Sequence, residues 1–176
     1  MKRVTYFLVA FSVGKWTQET CKELLSDVAQ RIKTPCINDR VQFFSDGNDD
    51  YTYVIPLFFD MNFVDYAQLV KIRDHGTLIG KEPRIIFGSP NPDDIDTTDV
   101  ENYNGIIRER IGRMVRKTKC YSKRKSRLEK AFQLFQFYWN FMSNIRRRVT
   151  PAMLEGLSKM PWTWNRFFYF RLSHLN

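Results

Sequence analysis

Two acidic residues, Asp46 and Glu101, stand 55 positions apart in settings suited to metal-assisted phosphoryl transfer. Such chemistry gathers carboxylates around a pair of Mg²⁺ or Mn²⁺ ions about 3.5–4 Å apart. These hard cations prefer oxygen ligands. Asp46 closes the apolar run VQFFSDG, where Gly47 lets the chain turn away. A short Asp side chain at a strand end is held close to rigid backbone. Glu101 opens the run ENYNGIIRER, in what reads as the first turn of a helix. Negative charge there also complements the helix dipole. Each acid has a plainer reading: SDG is a common turn, and an acid near a helix start can serve as a cap. Asn104, one turn after Glu101, shares its helix face and is placed to orient the carboxylate or touch substrate. Arg108, Arg110, Arg113, Arg116, Lys117, Lys119, Lys123 and Arg124 then offer phosphate contacts without base specificity. Thr118 and Ser122 are placed either to join them or to close the helix end.

The charge distribution points the same way. The 176-residue chain carries a formal +9, but residues 1–105 hold 11 basic and 16 acidic residues, whereas residues 106–176 hold 17 and 3. An acidic front and a basic rear suit a protein that handles nucleic acid. A hydrophobic fraction of 43% and an aromatic fraction of 15% argue against disorder and allow one domain with a real core. Three cysteines, with no CxxC pair and only two histidines, make a structural zinc site unlikely and read as reduced thiols of a cytosolic chain. No serine or cysteine stands out as a nucleophile beside His75 or His174, and no GxxxxGK[ST] loop is present. The aromatic stretch from Ala131 to Met142 is too short to span a bilayer.

These residues need a scaffold. Val4 to Val13 is β-branched and aromatic and predicts a strand; Thr17 is placed to cap a helix running to about Ile32; Arg40 to Ser45 predicts a second strand. That order predicts a crossover unit with parallel strands. Asp50 to Ile55 predicts a short helix stopped by Pro56. Tyr66–Ile72 and Thr77–Phe87 flank Asp74-His75-Gly76 as a β-hairpin. Thr98 or Asp99 caps the Glu101 helix, expected to run to about Lys117. Ser126 to Ile145 forms a second helix, with Leu128, Phe132, Phe135, Trp139 and Met142 packing into a core. The expected division is a catalytic core over residues 1–148 and a C-terminal extension over 149–176, the latter with one or two short helices.

In combination, SDG after a strand and E-N-Y-N-x-x-x-R-E-R-I-x-R-x-V-R-K-T-K-C-Y-S-K on a helix resemble bacterial and archaeal insertion-sequence transposases of the insertion-sequence-one family. GKWTQETCKELL and TPAMLEGLSKMPWTW resemble further segments of that family, so the similarity runs through most of the chain. The resemblance implies an α/β, ribonuclease H-like core with an Asp, Asp, Glu metal triad, carrying an inserted hairpin and C-terminal helices. It implies Mg²⁺ or Mn²⁺ as cofactor, Asp46 as second acid and Glu101 as third. The partner it implies is the terminal inverted repeats of a mobile DNA element, with a homo-oligomer compatible. It also implies a prokaryotic, nucleoid-associated, cytoplasmic setting. No Asp or Glu precedes Glu19, so the first acid has no counterpart here. The expectation is the C-terminal portion of a transposase lacking its first strand or strands and its upstream DNA-recognition module, inactive alone. A non-catalytic DNA-binding remnant that uses the basic helix is the alternative.

Overall fold

The computed structural model describes residues 1–115, 119 and 121–170. Three strands form one mixed sheet in the order β1-β2-β3: β1 is Val41–Asp46, β2 is Val64–Asp74 and β3 is Thr77–Phe87. β1 pairs with β2 in parallel, from Val41 opposite Val64 to Asp46 opposite Leu69. Parallel neighbours need a long connection. Residues 47–63 supply it through a short helix and two 3₁₀ turns. β2 and β3 are antiparallel and joined at His75-Gly76, both with positive φ (45° and 84°), as a tight hairpin turn requires. The hairpin predicted from sequence is therefore present and is longer on its first arm.

Among the described residues there are six helices: α1 Gln18–Arg31, α2 Asp50–Val54, α3 Thr98–Arg110, α4 Lys125–Phe141, α5 Pro151–Leu154 and α6 Trp164–Tyr169. Side chains alternate along strands. One face of β2 thus sends Val64 and Tyr66 into a core with Cys21 and Leu25 of α1 and Val54 of α2. The opposite face packs Ala67 and Leu69 on Ile95, in the loop before α3, with Phe44 of β1 beside them. A separate core joins Tyr103, Ile107 and Ile111 to Phe132, Phe135 and Trp139 of α4, with Leu8. The aromatic positions of α4 are core, as their helical spacing predicts.

Val4 to Val13 is not a strand, and the crossover unit expected from it does not form. The segment lies along α4, whose side chains take the place of a neighbouring strand. Asn140 accepts from the Leu8 N–H at 2.8 Å and donates to the Leu8 carbonyl at 3.0 Å. Gln136 donates to the Leu8 and Val9 carbonyls at 2.8 and 3.0 Å, and Trp139 donates to the Tyr6 carbonyl at 2.9 Å. With these groups satisfied, the segment has little to gain from a ladder. The parallel strand follows β1 instead of preceding it.

The loop from β3 to α3 is anchored on Asp65. This buried carboxylate accepts from Arg40 Nε at 3.1 Å and Nη2 at 2.7 Å, and from the Ser89 N–H at 3.0 Å. The Arg40 guanidinium, above all, holds the Asp65 carboxyl below the usual carboxylate range, despite the opposing effect of burial. A carboxyl depressed in the folded state stabilises fully above its unfolded pKa of about 3.9, and that contribution is lost as pH falls toward the folded value. Asp65→Asn should therefore be less stable at neutral pH and lose less stability than wild type between about pH 5 and pH 3. Urea midpoints measured across that range check this. Parallel losses in the two proteins would assign the acid limb to other groups.

Candidate active-site groove

Asp46 ends β1, and its position is set by a buried polar network in the following turn. Ser45 Oγ shares a hydrogen bond with Tyr66 Oη at 2.8 Å. The fully buried Gln68 donates to Tyr66 Oη at 2.9 Å and to the Asn48 carbonyl at 3.1 Å. Ser45, Tyr66 and Gln68 lie on one face of the sheet by register. Asp46, one residue on, falls on the other face by alternation, in line with Leu69 and Lys71. It is exposed.

Glu101 approaches that same face from α3. The helix starts at Thr98 with Thr97 as N-cap, not at Thr98 or Asp99 as cap. Asp96 fixes the entry by accepting from the Thr98 N–H at 2.9 Å and Thr98 Oγ1 at 2.7 Å. Asp99 and Glu101 both lie in the first turn. Glu101 forms ion pairs with two lysines of the hairpin: Lys71 on Oε1, and Lys81 at 4.0 Å on Oε2. The hydrogen bond from Lys71 is the main cause that holds the Glu101 carboxyl below its ordinary value.

Asp46, Lys71, Glu101, Asn104 and Arg108 all line one open groove of about 2150 Å³, and Asp94, Asp96 and Asp99 lie along it. The structure thus brings the two predicted acids, the asparagine and the first arginine to one feature. It does not gather the remaining basic residues onto a single helix. α3 ends at Arg110, short of Lys117, because Ile111 turns into the core beside Ile107 and the chain continues as a 3₁₀ turn from Gly112. Arg110, Arg113, Lys119, Lys123 and Arg124 are exposed on separate segments; Arg113 donates to the Arg127 carbonyl at 3.2 Å, and Arg124 is the N-cap residue of α4. α4 itself begins at Lys125 and ends at Phe141, earlier than the sequence predicts. Arg116, Lys117 and Thr118 lie outside the described residues, as does His174. His75 is in the hairpin turn.

Among the described residues, no three His, Cys, Asp or Glu side chains converge as a metal site. Asp46 and Glu101 supply the hard oxygen donors that Mg²⁺ or Mn²⁺ favours, but they fit only part of a two-ion centre, and Glu101 carries two ammonium partners. No described helix is long and apolar enough to cross a membrane.

The sequence reading missed Lys71 and Lys81. Counting from the two-residue turn pairs Lys71 with Gly80. A bulge between Ile72 and Arg73 shifts the register by one, so that Lys71 faces Lys81. Local sequence gave no signal for that shift.

Over its described residues the chain is mixed α/β, with a three-stranded sheet and an open groove that both acids line. No protein-family model, curated protein or solved structure matches it.

Proposed function

We propose that this chain is the catalytic portion of a DDE-type DNA transposase with a ribonuclease H-like core. The observation that carries the reading is the placement of Asp46 and Glu101, from elements far apart in sequence, along one groove and one sheet face. The family resemblance and the basic rear half support it. In this reading Asp46 and Glu101 hold Mg²⁺ or Mn²⁺, which when bound supplies activation of the attacking oxygen and stabilisation of the leaving one. Asn104 sits one turn from Glu101 and orients its carboxylate or the substrate. Arg108, two turns along the same helix, meets backbone phosphate. The partner is duplex DNA at the ends of a mobile element, and the setting is the prokaryotic cytoplasm.

A second reading is favoured by the lysines on Glu101 and by the want of a third converging acid among the described residues. It is a DNA-binding remnant without catalysis. Both readings predict DNA binding without strand joining by the chain alone, and Mn²⁺ binding separates them. The chain alone should bind duplex DNA with affinity that falls steeply between about 50 and 200 mM salt, and it should not join strands with Mg²⁺ or Mn²⁺. Mn²⁺ binding, followed by calorimetry, should weaken about tenfold or more in Asp46→Asn and in Glu101→Gln, as loss of one of two charged ligands implies. Unchanged Mn²⁺ binding in both variants would leave the remnant reading. Robust joining by the chain alone would show that a third donor is already in place. DNA binding insensitive to salt would remove nucleic acid from both readings.

A further inference from the structure

Lys71 and Lys81 face each other directly across β2 and β3. Like charges in that position repel. Nothing in the turn requires the pairing, since without the bulge Gly80 would stand opposite Lys71. What reconciles the two ammonium groups is Glu101, which gives one carboxylate oxygen to each. The lysine side chains are each about one-third exposed at 34%, and Glu101 is 42% exposed, so water and ligands reach the cluster. A carboxylate held by two cations through two oxygens has the charge and the paired acceptors of a phosphodiester. The next groove-lining residues along α3, Asn104 and Arg108, continue from this point at helical spacing, with a third cation, Arg108, two turns away.

We propose that Lys71 and Lys81 form a phosphodiester-binding fork, and that Glu101 occupies it as an internal counterion until a backbone phosphate displaces it. The inference rests on the reading that DNA enters this groove, and it adds the hairpin to the DNA-contacting surface. Phosphate exchange at the fork leaves the Glu101 carboxylate unpaired in the groove that Asp46 also lines. Contact with nucleic acid and release of the acid are then one event.

The test uses the whole chain, a fluorescent DNA duplex and EDTA to exclude divalent ions. Glu101→Gln removes the internal competitor. Its affinity should rise about three- to tenfold, and its log–log salt dependence should steepen by about one to two, as for one or two further phosphate contacts. In a Lys71→Gln, Lys81→Gln background the same substitution should produce no gain. Glu109→Gln, on the same helix, controls for net charge and should change affinity less than twofold. Equal gains with and without the lysines, no gain in either background, or a gain matched by Glu109→Gln would each overturn the fork. If no form of the chain binds DNA, the DNA reading falls separately. The fork is then decided with inorganic pyrophosphate: lysine-dependent thermal stabilisation of Glu101→Gln supports it, and none overturns it.

Discussion

Gly88→Ala is expected to destabilise the protein by roughly 3–5 kcal/mol, from left-handed strain together with overpacking against fixed atoms. Gly88 has φ of 69°, a region that residues with a Cβ enter only at a cost. The added methyl carbon would lie 2.0 Å from Asp65 Oδ1 and 2.7 Å from the Val64 carbonyl oxygen. Neither atom can yield easily. Val64 O belongs to the backbone of the central strand, and the Asp65 carboxylate is fixed by Arg40 and the Ser89 N–H. Relief therefore means moving the strand or breaking the anchor that starts the loop toward α3. Gly76→Ala is the control. It has φ of 84° but nothing within 4 Å of a new Cβ, so only the backbone part, about 1–2 kcal/mol, should appear. Urea unfolding of the two variants measures the difference. A Gly88→Ala protein within about 1 kcal/mol of Gly76→Ala would mean that the close approach to Asp65 relaxes freely. Because residues 88–97 connect the sheet to the helix carrying Glu101, Gly88→Ala should also weaken DNA binding where Gly76→Ala does not.

Asn140→Leu should cost about 1–3 kcal/mol, the range for leaving one buried backbone donor, the Leu8 N–H, unsatisfied. The substitution keeps the branched heavy-atom skeleton and removes both hydrogen-bonding atoms. Asn140 is 3% exposed, and its amide satisfies the N–H and supplements the carbonyl of Leu8, itself a buried member of the α3–α4 core. The carbonyl retains Gln136 as a donor, so the Leu8 N–H bears most of the loss. Native-state hydrogen exchange reads this directly. The Leu8 amide should lose protection in the variant while amides of β2 keep theirs after allowance for global stability. Unchanged protection at Leu8 would show that the segment is held without Asn140, by apolar packing and the bonds from Gln136 and Trp139.

These two positions differ in how visible they were beforehand. The polar residues of α4 sit among aromatics at Gln136 and Asn140, and in a linear reading they only interrupt an apolar face. Folded against residues 6–9 they become the hydrogen-bonding partners of an extended segment. A strand-like sequence was legible there, but strand formation requires a neighbour, and the neighbour turned out to be a helix. Gly88 likewise carries no local signal, because its constraint comes from Asp65, 23 residues earlier, brought up by β2–β3 pairing.

By itself the sequence determined the elements whose causes are local: the helix after Thr17, the apolar face of α4, the hairpin turn at Asp74-His75-Gly76, the strand leading into Asp46 and the helix starting before Glu101. Periodicity and turn chemistry act over a few residues and can be read from them, whereas the cap of α3 fell one residue earlier, at Thr97. The sequence also supplied the division of charge and the pairing of Asp46 with Glu101 as candidates. Only the tertiary structure decided that the two acids share a groove, that α3 stops at Arg110 and that Lys71 and Lys81 meet on Glu101. Those outcomes depend on burial of Ile111, on a bulge in β2–β3 and on the sheet face toward which Glu101 reaches. Each is set by contacts between residues far apart in the chain, where local pattern carries no information.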